Sequence, residues 1–228
     1  MCDLKKSYYV SSLSGPRLKK CYDLAPLRVR RYLQAEIDFV LDHISPAGRT
    51  LDLGCGYGRI IPDLVKKVDR VIGVDNSRAT LSFARSYLQG TNRFHLLAMD
   101  AAHLGFKSGI FANVVCIQNG ISAFQVDPEQ LIKEAVRVTR QQGTVLFSTY
   151  ADVFWEDRLE WFRLQAEHGL VGQIDENQTR RGLIVCRDGF RATTFSASDF
   201  FKLTRGLDAE VTMADVNASS LFCLIRPR

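Results

Sequence analysis

The chain contains no apolar run approaching the roughly 20 residues that cross a bilayer, so no membrane-spanning helix is expected. Its first residues, MCDLKKSYYVSSLSGPRLKK, lack the apolar core of a secretory signal, and a soluble cytoplasmic protein without a membrane partner follows. Cysteines stand at 2, 21, 55, 116, 186 and 223 with no C-x-x-C among them. Neither a disulfide framework nor a zinc site is expected, only reduced buried thiols. The histidines, His43, His95, His103 and His168, are scattered, and no metal-ligand cluster is visible. Low-complexity tracts and internal repeats are absent, and the net charge of +5 is too mild to point strongly to nucleic acid. What remains is ordinary globular composition, 46% hydrophobic and 24% charged, over 228 residues, enough for one well-buried domain spanning 1–228.

The first twenty residues are polar, interrupted by Gly15-Pro16, and read as a mobile arm. From Pro26 the apolar spacing turns helical, with Leu33, Ile37, Val40, Leu41 and Ile44 on one stripe and SPAGR (45–49) as the stop. Strands and helices then alternate. Strands are predicted at 49–53, 70–75, 93–100, 113–118 and 143–150, with helices through Ile60–Val65, Ser77–Leu88 and from Asp127. Asp127-Pro128-Glu129-Gln130 supplies an N-cap, a first-turn proline and a Gln at the capping-box position. Strongly apolar strands between amphipathic helices imply a doubly wound, mostly parallel sheet covered on both faces. A helix over 156–168 ends at Gly169. RRGLIVCRDGFRATTF then places two alternating runs around Asp188-Gly189, a hairpin signal, and Ser198 starts a short helix. Strands 209–216 and 219–227 are linked too tightly to be anything but antiparallel. The expected class is therefore α/β with a seven-stranded, mostly parallel sheet, an antiparallel C-terminal strand and a small inserted hairpin.

Residues 51–59, LDLGCGYGR, carry three glycines at alternate positions directly after a strand. Such a turn lets the backbone approach a ligand closely, as sites for nucleotide pyrophosphates and for S-adenosylmethionine both require. Dinucleotide sites use G-x-G-x-x-G, whereas here the spacing is G-x-G-x-G and position 59 is Arg. In an open α/β sheet the ligand lies beyond the carboxyl ends of the strands. Four loops should meet there: the glycine turn, whose helix start favours an anionic group; Asp75, able to accept from two ribose hydroxyls; Asp100-Ala101, where a carboxylate can accept from an adenine amino group; and Gln118-Asn119-Gly120, over the reacting position.

LDLGCGYGR, VIGVDNS and LLAMDAAHLGF resemble the successive cofactor motifs of class I S-adenosylmethionine-dependent methyltransferases, and the resemblance covers residues 27–150. It implies S-adenosyl-L-methionine as cofactor, with the glycine turn holding its methionine part, the acid after strand two its ribose and the residues after strand three its adenine. Carried onto this sequence, the cofactor residues are Asp52, Gly54, Gly56, Gly58, Asp75, Asn76, Asp100 and Ala101, with Gln118 from the fourth loop. One departure stands out: where the family often has Asp before strand four, this chain has Asn113.

Candidate catalytic residues are Asn119, placed where related small-molecule enzymes put a polar group beside the acceptor, and His103, three residues past Asp100. Asn119 has a plainer alternative, as a turn or cap residue, and His103 is the one histidine that falls near the expected crevice. Tyr8, Tyr9 and Tyr22 either pack the arm or shield a sulfonium, which aromatic faces attract. Arg180, Arg181, Arg187 and Arg191 ring the hairpin, as a solvated face or as a grip on an anion. The arm of residues 1–25 and the hairpin of 171–196 are expected as two lids over an enclosed pocket. That suits a small-molecule acceptor better than tRNA or rRNA, and the absence of an NPPY-like motif after strand four (the residues are IQNG) points the same way. The remaining alternative is a cofactor-binding regulatory subunit without turnover of its own.

Overall fold

The computed structural model describes residues 8–228; the expectations for Cys2 and the first part of the arm lie outside them. Two short helices, α1 (Tyr8–Ser11) and α2 (Pro16–Asp23), make the described arm, and α3 (Leu27–His43) follows. Then come β1 (Arg49–Leu53), α4 (Ile61–Lys67), β2 (Arg70–Asp75), α5 (Arg78–Tyr87), β3 (Phe94–Ala98) and β4 (Phe111–Cys116). They are followed by α6 (Gly120–Ala123), α7 (Pro128–Val138), β5 (Thr139–Tyr150) and α8 (Trp155–Glu167). The hairpin β6 (Leu183–Val185) and β7 (Arg191–Thr193), α9 (Ala197–Leu203), β8 (Ala209–Val216) and β9 (Ser220–Pro227) complete the chain.

The main sheet has seven strands in the order β3-β2-β1-β4-β5-β9-β8. The first five pair in parallel, and β9 runs antiparallel to both of its neighbours. Alternate residues feed opposite faces, as the pleat requires. Val114, Cys116, Val145 and Phe147 meet α7 through Leu131, Ile132 and Ala135. Val115, Leu146, Phe222 and Leu224 meet α3, α4 and α5 through Val40, Ile61, Leu64 and Leu81. Both faces are covered, which is why these strands read as continuous apolar runs. The expected class is the observed one.

Element ends differ where local chemistry overrode the pattern. β5 begins at Thr139 because Phe111 and Thr139 pair before the register shifts to Asn113–Thr144, across exposed Arg140–Gln142. At α7 the Asp127 side chain accepts from the Glu129 amide, but the Gln130 amide reaches the Ala102 carbonyl, so no capping box closes. The reciprocal box forms instead at Ser196 and Asp199, two residues before the expected start of α9. Asn113 is fully buried and satisfied: it accepts from the Ser45 amide and donates to the Ser45 carbonyl and Thr50 hydroxyl. Its amide can both donate and accept in this tie, and an ionised Asp could not donate.

The arm is packed. Leu13, Cys21 and Ala25 are buried, and a third apolar cluster joins Leu13 and Cys21 to Phe162 and Ala166 of α8 and to Ile184 and Phe190 of the hairpin. Tyr8 meets Phe190 edge-on at 5.1 Å and its hydroxyl donates to Asp188, while Arg17 donates to the Gly169 carbonyl at 2.7 Å. The hairpin is a separate two-stranded sheet whose Asp188-Gly189 turn belongs to a three-residue loop closed by Cys186 and Phe190. Phe190 is fully buried at the centre of this assembly. Phe190→Ala is expected to cost about 3–5 kcal/mol in chemical denaturation and to expose the arm to limited proteolysis. An unchanged midpoint with a protected arm would show that the arm is held without it.

Candidate active site

Strand order reverses between β1 and β4, so the loops leaving their carboxyl ends diverge and leave a crevice. A cavity with about 890 Å³ of atom-free space, partly open to solvent, fills that crevice. Its floor is the glycine turn. Gly54 has φ 70° and a Cβ there would stand 2.9 Å from Phe124 Cζ; Gly56 has φ 53° and a Cβ would stand 3.1 Å from Leu18 Cδ2. Both line the cavity. Gly58 does not. A Cβ on it would lie 2.7 Å from Leu88 Cδ1, so its role is close packing against the end of α5, a correction to the expected ligand contact.

Asp75, ending β2, locks the turn. One carboxylate oxygen accepts from the Gly56 amide at 3.1 Å and the other from Ser77 at 2.8 Å. Burial pushes this carboxyl upward and the two amides pull it back. Asn76 lines the cavity beside it. Asp52, on β1, is buried against the same space and its Oδ2 has no hydrogen-bond partner. Burial raises its pKa to about 7, with Arg59 opposing the rise and Asp75 adding to it. Arg59 also lines the cavity with Nη2 unpartnered, its guanidinium 5.3 Å from the Tyr22 ring centre. Gln118 lines the opposite wall in a left-handed conformation (φ 58°), and its Nε2 is unpartnered too. A carboxylate, a guanidinium and an amide thus face one space without satisfying one another, and buried polar groups are seldom left so.

The third expected loop stays away. Asp100 and Ala101 do not line this cavity: Asp100 accepts from the Ala102 amide at 2.9 Å and meets His103 Nδ1 at 3.0 Å, while Ala101 is buried in the sheet core. His103 is three-quarters exposed on the protein surface and reaches no part of the cavity. Asn119 is also corrected. Buried and left-handed (φ 58°), it accepts from the Thr149 hydroxyl at 2.8 Å and donates to the Thr193 carbonyl at 2.8 Å, tying the hairpin to the sheet. It faces no ligand space. Nor do residues 171–196 line the main cavity, so the hairpin supports the arm instead of covering the pocket. The arm does cover it, through Tyr9, Leu13, Leu18 and Tyr22. Tyr8 faces the hairpin instead. The four hairpin arginines are all exposed.

The sequence reading passed over Glu36, fully buried on α3. Its Oε2 accepts from the Gln118 amide at 3.1 Å and its Oε1 from the Ser220 hydroxyl at 3.0 Å, bracing the strained loop that carries Gln118. Burial raises it to about 7 against Ser148, Arg59 and these donors. The signal was an acidic residue on the apolar stripe of α3, between Leu33 and Ile37. Arg59 was legible too, as a cation directly after the glycine turn.

Residues 50–143 match the model of a family described as a methyltransferase domain. Over 106 residues the chain is 31% identical to a putative methyltransferase, YqeM, of Bacillus subtilis, covering 46% of this chain and 43% of that protein. It is 27% identical over 134 residues to a ubiquinone biosynthesis O-methyltransferase of Azoarcus sp., covering 58% and 53%. The chain spans about half the length of these relatives. A solved S-adenosylmethionine-dependent methyltransferase from Methanosarcina mazei superposes with TM-score 0.61 at 18% identity, over 83% of this chain and 96% of that one. Residues 50–143 thus match a methyltransferase domain, and the chain shares its seven-stranded fold with the solved methyltransferase. Its seven strands and its glycine turn supply the frame, and no helix among the described residues is long and apolar enough to cross a membrane.

Two outcomes test this domain's polar interior. Glu36 and Asp52 have folded pKa values near 7, above the roughly 4 of an unfolded carboxylate, so the folded state holds their protons more tightly. The stability contributed by these two groups is therefore greatest below about pH 4 and falls as pH rises to about 7, by up to about 1.4 kcal/mol per pH unit for each group. Denaturation midpoints from pH 4 to 8 should fall more steeply for the wild type than for Glu36→Gln; identical pH dependence in the two would remove the linkage. Asn119→Gly keeps the left-handed backbone and deletes the tie, at an expected cost of about 1–3 kcal/mol, with faster proteolysis of the hairpin. No change in either would return Asn119 to the list of ligand-facing residues.

Proposed function

We propose that this chain transfers a methyl group from S-adenosyl-L-methionine to a small-molecule acceptor. The observation that carries the reading is the set of unpartnered polar atoms, Asp52 Oδ2 and Arg59 Nη2, beside the Gly54–Gly56 cradle. An amino acid zwitterion fits both: its ammonium to the Asp52 carboxylate and its carboxylate to the Arg59 guanidinium. Asp75 spends one lone pair of each oxygen on backbone amides and keeps others to accept from vicinal hydroxyls such as those of a ribose. Asn76 stands next to it. Asp100 and Ala101, one strand further out, are reached only by a ligand extending past Asn76.

The cofactor supplies an electrophilic methyl group on a sulfonium. The chain's part is alignment and water exclusion, a proximity effect worth about 7–11 kcal/mol in favourable cases. Tyr9 and Tyr22 present aromatic walls that attract a cation, and with Leu13 and Leu18 they close the cavity from the arm side. A cavity roofed by the chain's own helices admits a small acceptor more readily than a folded macromolecule, and the relatives named for ubiquinone biosynthesis support the same class. Gln118, braced by Glu36, faces the space from the fourth loop and can orient the acceptor through its free amide.

Thermal unfolding with S-adenosylmethionine, S-adenosylhomocysteine and NAD separates the cofactor classes. A ligand at about 100 times its Kd adds about 2.7 kcal/mol, which for a chain of this size is several degrees. The two sulfur compounds should raise the midpoint and NAD should not; Asp75→Ala should abolish the rise. A response to NAD alone would overturn the reading.

A further inference from the structure

Among the described residues that line the main cavity, those that carry charge are Asp52, Asp75 and Arg59, and no lysine, histidine or glutamate joins them. Cys55 is turned into the sheet core: its Sγ stands 2.8 Å from the point where a Cβ on Gly73 would lie, and burial pushes its thiol well up. Burial likewise keeps the phenols of Tyr9, Tyr22 and Tyr57 protonated. The three charged groups come from β1, from the glycine turn and from the end of β2, all on one side of the crevice. The other side is apolar or aromatic, built from Tyr9, Leu13 and Leu18 of the arm and from Ile117, Ala123 and Phe124 of the fourth loop.

One free amide interrupts that second side. Gln118 lines the cavity, and its Nε2 is buried without a partner. Its backbone, at φ 58°, is held there by its own N–H, which donates to Ser148 Oγ at 2.8 Å and to Glu36 Oε2 at 3.1 Å. Non-glycine residues seldom adopt this conformation and keep it only where the surroundings impose it. Ser148 and Glu36 brace the loop from outside the cavity, so the side chain of Gln118 is left to face the space. Its neighbour Asn119 has the same backbone but spends both ends of its amide on Thr149 and Thr193. The fourth loop thus carries one structural amide and one that lacks a partner, and a ligand oxygen accepting from Nε2 would offset the desolvation.

Asp52, Arg59 and Asp75 are equalled in number and opposed in sign by the ammonium, carboxylate and sulfonium of S-adenosyl-L-methionine. With that ligand in place no charge on the described wall is left over, and a further ion under the arm would go unpaired. We propose that the methyl acceptor is an uncharged molecule with a flat or apolar body, held between the arm and the fourth loop by a hydrogen bond from Gln118 Nε2 to one of its oxygens. The inference rests on the methyltransferase reading and narrows its acceptors. Carboxylates, phosphates and protonated amines are refused for want of a counter-charge, while Tyr9, Leu13, Leu18 and Phe124 take the apolar body. Gln118 is then a specificity-determining residue, and Glu36 is the positioning residue behind it.

Calorimetric titrations with acetophenone, benzoate, benzylammonium and ethylbenzene test this, with S-adenosylmethionine saturating and at about pH 8, where Asp52 is ionised. Acetophenone should bind, and the two ions should bind at least about ten-fold more weakly. Gln118→Leu deletes the donor and should lower the ratio of acetophenone to ethylbenzene affinity about two- to ten-fold. Gln118→Asn suits the left-handed backbone, retracts the amide and should lower the same ratio, which covers a Leu variant that fails to fold. An unchanged ratio in the folded variants overturns the role of Gln118. Benzoate or benzylammonium binding the wild-type chain as tightly as acetophenone overturns the uncharged class, as does a failure of acetophenone to bind. A titration with S-adenosylmethionine alone separates the failures: no binding there sinks the methyltransferase reading, whereas normal cofactor binding without a preference for the neutral probe sinks only this proposal.

Discussion

Everything in this molecule is arranged around the point where strand order reverses between β1 and β4. A right-handed crossover carries the chain one way from β1 and the other way from β4, so the two loops cannot close over each other. The gap needs a floor of bare backbone, and Gly54 and Gly56 supply it. It needs a rigid rim, and Asp75 supplies that by fastening the turn to the end of β2. On the other side Glu36 fastens Gln118, whose left-handed backbone would otherwise relax. Two carboxylates, half-buried Asp75 on one side and buried Glu36 on the other, therefore hold the crevice open at its width.

The parallel half of the fold was readable because buried parallel strands are apolar throughout and punctuated by glycine and proline. β1, β2 and β4 had no competing pattern. The start of β5 was obscured by exposed Arg140–Gln142, where pairing resumes across a register shift that no periodicity records. In the site, Asp52, Gly54, Gly56, Asp75, Asn76 and Gln118 were legible because they are tied to strand ends, whose order fixes their meeting place. Asn119 and Gly58 sit in the same loops and were misassigned for a common reason. Sequence position says that a residue lies near the crevice but not which way its side chain turns. Glu36 lies on a helix, away from any motif, and only the packing of α3 brings it to the fourth loop.

The arm and the hairpin illustrate a related point. Both follow or precede the parallel core and both read as lids. Only the arm covers the cavity, and it is placed there by the hairpin through Phe190 and Asp188. Asn119 in turn fixes the hairpin to the fourth loop. The chain of contacts runs from the sheet through Asn119 to the hairpin, and from the hairpin to Tyr9 and Tyr22 on the cavity wall. Removing the hairpin would open the pocket without touching any residue that lines it.

Most buried polar groups among the described residues are paired: Asn113 makes three hydrogen bonds, Asn119 makes two, and Ser77 and Thr80 satisfy each other. The exceptions are concentrated. Apart from Arg28, whose guanidinium lies over Phe154 and donates to two carbonyls, the unpartnered buried atoms belong to Asp52, Arg59, Gln118, Tyr32 and Arg158. All five lie in the cavity or in the aromatic cluster behind Tyr9 and Tyr22. Leaving buried polar atoms unpaired costs desolvation, and a ligand offering complementary groups to Asp52, Arg59 and Gln118 offsets that cost on binding. Opposite signs at Asp52 and Arg59, both on the cavity wall, suit a zwitterion.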